Sequence, residues 1–138
     1  MNTYNINDDN YKNSVEYQNF LKDNPETGYL KIRAYAASGA VPISGLKIVV
    51  STTLDNDNIV FFEGYTNSSG VIDRITLPAP RLEINNMNTP NMRQYEISAT
   101  YDNGNTKIYK VNIYENVSVI QNINITPTMN RGSDIIWP

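Results

Sequence analysis

The chain of 138 residues contains neither histidine nor cysteine. That removes the Ser-His-Asp triad, thiol nucleophiles and most zinc sites together. Acid–base work would then fall to carboxylates, and glycosidic chemistry needs two of them at a fixed separation. Glu63, Asp73, Glu83 and Glu96 supply the number, but none stands in a recognisable setting. Among metals, calcium takes hard oxygens at alternate positions, and Asp55-Asn56-Asp57-Asn58, with Glu63 nearby, offers them. The run lacks the glycine and the distal bidentate glutamate of a calcium loop, and Asp and Asn are turn formers in their own right. The expectation is a polar turn, no cofactor, and a chain that is not an enzyme.

Eleven Lys and Arg stand against 14 Asp and Glu, a net charge of −3. A nucleic-acid partner needs a concentrated basic face, and a polybasic membrane anchor needs a basic run. Neither partner is expected. No stretch approaches the ~20 apolar residues of a membrane span. The first ten residues, Met1 to Asn10, have no basic start and no apolar run, so no signal peptide is expected. Asn makes up 21 of the 138 residues, a bias that fits an AT-rich bacterial genome. The expected location is a bacterial cytoplasm, or a particle or spore assembled within it.

The elements that would position any site follow from hydrophobic periodicity. Residues 1–12 are polar and aperiodic and read as a mobile arm. Ser14 to Lys22 reads as a short helix, capped by Asn13 or Ser14, with Tyr17, Phe20 and Leu21 forming one apolar stripe. Two turns of helix are not stable alone, so this stripe must dock on its own domain or on a partner. From Gly28 the period becomes two. Strands are expected over 28–36, 46–53, 59–66, 71–77, 95–101, 106–114 and 117–125. Pro78-Ala79-Pro80 is expected to end the fourth, and Asp102-Asn103-Gly104-Asn105 to make a type I′ hairpin turn. Short strands with turn signals every ~8–12 residues specify an all-β sandwich or barrel.

Several blocks then fall in a familiar order: Gly28-Tyr29-Leu30-Lys31-Ile32, Ala40-Val41-Pro42-Ile43-Ser44-Gly45-Leu46-Lys47-Ile48, Thr66-Asn67-Ser68-Ser69-Gly70, Leu77-Pro78-Ala79-Pro80, Tyr95-Glu96-Ile97, Asn116-Val117-Ser118-Val119, Gln121 and Pro127. Together they resemble the transthyretin-like (prealbumin-like, carboxypeptidase-regulatory-like) β-sandwich domains of Firmicutes, in the version found beside clostridial spore cortex-lytic proteins. Leu46 and Asn67 depart from the small residue and the Asp common there. The resemblance implies a Greek-key sandwich of seven or eight antiparallel strands over 28–128, preceded by an arm and helix (1–27) and followed by a tail (129–138). Related transthyretin-like enzymes hydrolyse 5-hydroxyisourate with histidines, an arginine and a terminal Tyr-Arg-Gly-Ser. This chain has Asn130-Arg131-Gly132-Ser133 and no histidine, so the activity is not expected.

Function is then sought at the ends and on the surface. The tail carries Ile135, Ile136 and Trp137 where chain ends are usually polar. With Tyr17, Phe20 and Leu21 they are the expected partner-binding residues, and the arm could add a strand to an open sheet edge. Ten tyrosines against three Phe and one Trp leave some Tyr for the surface, where it suits contacts. The expected function is a structural or assembly module of a bacterial spore layer, filament or phage-tail-like particle, with protein partners that include itself. The alternative is a regulatory or glycan- or peptidoglycan-binding module acting with a partner hydrolase.

Overall fold

A computed structural model describes residues 2–37, 39–83 and 90–125, together with the backbone of 128–129 and 135–136. The elements run β1 (Thr3–Asn5), α1 (Asp9–Lys12), α2 (Val15–Asp23), β2 (Glu26–Ala36), β3 (Val41–Pro42), β4 (Lys47–Leu54), β5 (Asp57–Tyr65), β6 (Val71–Ala79), β7 (Arg93–Thr100), β8 (Thr106–Ile113), β9 (Ser118–Ile125), β10 (Thr128–Met129) and β11 (Ile135–Ile136). One sheet has the order β1-β5-β4-β7-β8; in the other, β2 pairs with β3, β6 and β9. The chain is an all-β sandwich with two short helices.

The alternation that predicted the strands sets the core. Leu30, Ile32 and Ala34 of β2 lie with Ile48 and Val50 of β4 and Tyr95, Ile97 and Ala99 of β7 in one buried cluster. Ile75, Leu77, Val111, Ile113, Ile123 and Ile125 also belong to it. Thr66 closes one end: its hydroxyl donates to the Ile43 carbonyl (2.6 Å) and accepts the Leu46 N–H (3.0 Å).

Four expectations are corrected. The sheets are not wholly antiparallel, because β9 runs parallel to β2 over eight residues and β1 parallel to β5. These partners lie far apart in sequence, so no hairpin forces them antiparallel. Pro78 does not end β6; it pairs with Thr27, and the strand runs on to Ala79. Among the described residues β6 pairs only with β2, and an edge is where a missing donor costs least. The type I′ geometry sits at Asp55-Asn56 (φ 46° and 71°), closed by the pair Leu54–Asp57. In the longer Tyr101–Asn105 loop Gly104 carries the positive φ (86°) and donates to the Tyr101 carbonyl (2.9 Å). The four residues proposed for calcium are thus a tight turn plus the start of β5, and among the described residues no three acids gather as a metal site.

The last correction concerns the expected mobile arm, in which residues 3–12 are folded. β1 covers the β5 edge, a turn follows, and α1 begins with Asp8 accepting the Asn10 N–H (2.9 Å). Ser14 caps α2 by accepting the Tyr17 N–H (3.2 Å), and Asn24 ends it by donating from its side chain to the Phe20 carbonyl (3.0 Å). A chain of rings runs from this segment into the sandwich. Tyr4 stacks on Tyr11 (4.9 Å), Tyr11 meets Tyr17 (5.7 Å), and Phe20 meets Phe61 (5.5 Å), which lies edge-on to Tyr95 (5.4 Å).

Burial of four tyrosines has a pH consequence. It pushes the hydroxyls of Tyr11, Tyr17 and Tyr95 up, and that of Tyr101 to about 12. Tyr11 is raised further by its hydrogen bond to Glu16, and at Tyr101 the neighbouring Tyr109 acts the same way. A group protonated in the fold but ionised when unfolded stabilises fully below the unfolded value of ~10 and loses that contribution as pH rises towards the folded value. Stability should therefore fall from about pH 10 upwards. Urea midpoints at pH 8, 10 and 11 check this; equal midpoints would contradict it.

Candidate functional site

The outer face of the β6–β2–β9 layer is where polar chemistry gathers. Inward-facing residues of β2 alternate with Tyr29, Lys31, Arg33 and Tyr35, all partly or fully exposed. β9 lays Ser118, Ile120, Asn122 and Asn124 beside these four in register. On the other flank the β2–β6 register shifts. Leu30 pairs with Ile75 but Ile32 with Ile72, so Asp73 and Arg74 together face Lys31. This is a β-bulge, which turns consecutive side chains out of strict alternation.

Both charged residues consequently serve the same face. Asp73 pairs with Lys31 (3.6 Å). The Arg74 guanidinium lies 3.8 Å from the centre of the Tyr29 ring, a cation–π stack. Hydrogen bonds from Thr27 and then Arg74 hold the Tyr29 hydroxyl below its ordinary range. A cleft of about 260 Å³ opens among Tyr29, Lys31, Asp73, Arg74, Ser118 and Ile120. Its chemistry is one aromatic ring, two cations, one carboxylate and an apolar side chain 54% exposed. Such a set suits recognition of a partly apolar, anionic partner surface.

The residues singled out from sequence lie elsewhere. Tyr17 and Phe20 are core residues, 7% and 4% exposed, and Leu21 packs against them. α2 docks this stripe on its own sandwich, which buries the same apolar surface without a second chain. Ile135 and Ile136 form β11, whose backbone pairs with Thr128 and Met129. Trp137 and the Asn130-Arg131-Gly132-Ser133 run lie outside the described residues. The candidate acids are dispersed: Glu63 is in β5 and paired with Lys47 (3.5 Å), Asp73 in β6, Glu96 in β7, and Glu83 in the connection after β6. What sequence reading missed is the bulge. Its signal was present in Ile72-Asp73-Arg74-Ile75, where the apolar spacing is three instead of two.

No protein-family model and no curated protein matches the chain. Among solved structures it is similar to the 5-hydroxyisourate hydrolase of Klebsiella pneumoniae, with 14% sequence identity, 80% of this chain and 98% of that chain covered, and a TM-score of 0.49. By its name that protein is an enzyme, a hydrolase. The expectation that this chain is not an enzyme does not stand. It rested on missing histidine and cysteine, and the absence of two residue types does not define a fold's chemistry. Among the described residues no helix is long and apolar enough to cross a membrane.

Proposed function

We propose that the chain is a binding and assembly module that engages protein partners, copies of itself included, through the outer face of β6–β2–β9. The observation that carries this reading is the bulge at Asp73-Arg74. It places Arg74 on Tyr29 and Asp73 beside Lys31, with Arg33 and Ile120 exposed on the same face. Rigid aromatic and Arg anchors around an exposed aliphatic residue are what interface centres are made of. The bacterial setting in this reading, a spore layer, filament or phage-tail-like particle of a Firmicute, is supported by the sequence blocks alone.

Reversing two charges tests it. Lys31→Glu with Arg74→Glu should weaken self-association, followed by light scattering across concentration, by roughly tenfold or more. Association unchanged by that pair would remove this face from the function. The second reading, a glycan or peptidoglycan ligand acting with a hydrolase partner, draws on Tyr29 and Tyr35 sharing one face with Asn122 and Asn124. It expects co-sedimentation with peptidoglycan that Tyr29→Ala with Tyr35→Ala abolishes.

A further inference from the structure

We infer that the basic outer face of β6–β2–β9 docks into the N-terminal cleft of a second copy of this chain, head to tail. The inference rests on the assembly reading and names the partner surface. The docking face carries Lys31 and Arg74 at its cleft and Arg33 beside them on β2, against the single Asp73, in a chain whose overall charge is −3. The compensating negative charge is concentrated where β1, α1, α2 and the start of β5 meet. There a cleft of about 410 Å³ is lined by Tyr4, Tyr11, Asp8, Glu16 and Asp57, among others.

The cleft has the chemistry of a receptor for an ammonium or guanidinium group. Tyr4 and Tyr11 stack nearly parallel (13°), and the Tyr11 hydroxyl donates to Glu16 Oε2 (2.9 Å). Aromatic rings edged by carboxylates attract a cation by both ring and charge. Among the described residues no ion pair neutralises Asp8, Glu16 or Asp57, and none neutralises Arg33 or Arg74. An exposed apolar residue also stands by each surface: Val15, next in sequence to the cleft residues Ser14 and Glu16, is 76% exposed, and Ile120 on the basic face is 54% exposed. Charge and apolar surface are therefore both complementary.

The two surfaces belong to opposite layers, one on β2 and its neighbours and the other at the β1–β5 edge. A single copy cannot bring them together. The contact joins two different patches, so each added copy leaves one of each free, and an open chain results.

Sedimentation velocity at about 20 mM salt should show species growing with concentration beyond the dimer and dissociating as salt shortens the Debye length. Two variants block opposite ends: Lys31→Glu with Arg74→Glu on the face, and Asp57→Lys with Val15→Ser at the cleft. Glu16 is kept so that its bond to Tyr11 survives. Each variant should be monomeric alone, with a wild-type-like thermal melt. Their equimolar mixture should form a dimer that grows no further, because one copy supplies an intact face and the other an intact cleft. A mixture that stays monomeric would overturn the inference, as would a wild type that is monomeric throughout. If the face variant loses association while the cleft variant keeps it, the head-to-tail contact fails and the assembly reading stands. Should either double variant melt early, the single changes Val15→Ser and Arg33→Glu each still have to weaken association several-fold.

Discussion

Phe20→Ala is expected to lower the unfolding free energy by about 3–5 kcal/mol, the range for deleting a buried aromatic ring. Phe20 is 4% exposed and lies 5.5 Å from the Phe61 ring and 6.2 Å from Tyr17. The Arg93 guanidinium covers it at 5.1 Å while donating to Thr52 Oγ1 (2.8 Å) and the Thr53 carbonyl (3.1 Å). Its loss therefore removes the ring that joins α2 to β5 and β7 at once. A nine-residue helix has little stability of its own, so the segment before β2 should loosen with it. Urea unfolding reads the cost directly. A loss below about 1 kcal/mol, typical of surface positions, would mean that α2 only rests on the sandwich.

Gly70→Ala should cost a similar amount for a different reason. Gly70 ends the turn between β5 and β6 with φ +75°, where a side chain is disfavoured by roughly 1–2 kcal/mol. It also lies against β2. Its carbonyl accepts the Ala34 N–H (2.7 Å), and a Cβ would run into the Ala34 carbonyl oxygen and stand 3.0 Å from the Ile43 nitrogen. Both obstacles are backbone, so neither can swing aside, and the loss should reach about 3 kcal/mol or more, at the upper end for single substitutions. Gly104→Ala is the control. Its φ is +86°, but nothing lies within 4 Å of a Cβ there, so about 1 kcal/mol is expected. Equal losses at the two glycines would show that conformation alone matters and that the close approach to β2 does not.

Features written in short stretches of sequence were legible. The β2 alternation, the apolar stripe of α2 and its cap at Ser14, one of the two residues expected there, appear where expected. Each depends on neighbours within four residues, and propensity and periodicity act on that scale. The candidate site was not legible. Lys31, Asp73 and Ser118 belong to three strands, and only the β2–β6 bulge and the parallel β2–β9 register bring them together. Asp73 was read as one of several scattered acids, because an exposed carboxylate looks the same in sequence whether or not a cation stands beside it.

By itself the sequence determined the seven longer strands, the helix that follows Ser14, and that the chain buries one apolar face per strand. Tertiary structure alone decided which strands are neighbours, that β1 covers its own sheet edge, and that α2 spends its apolar stripe inside the fold. The physical reason is that an alternating strand is satisfied by any pleated neighbour and an apolar stripe by any apolar surface. Local chemistry states the need for burial, and only the packing of the whole chain selects what meets it.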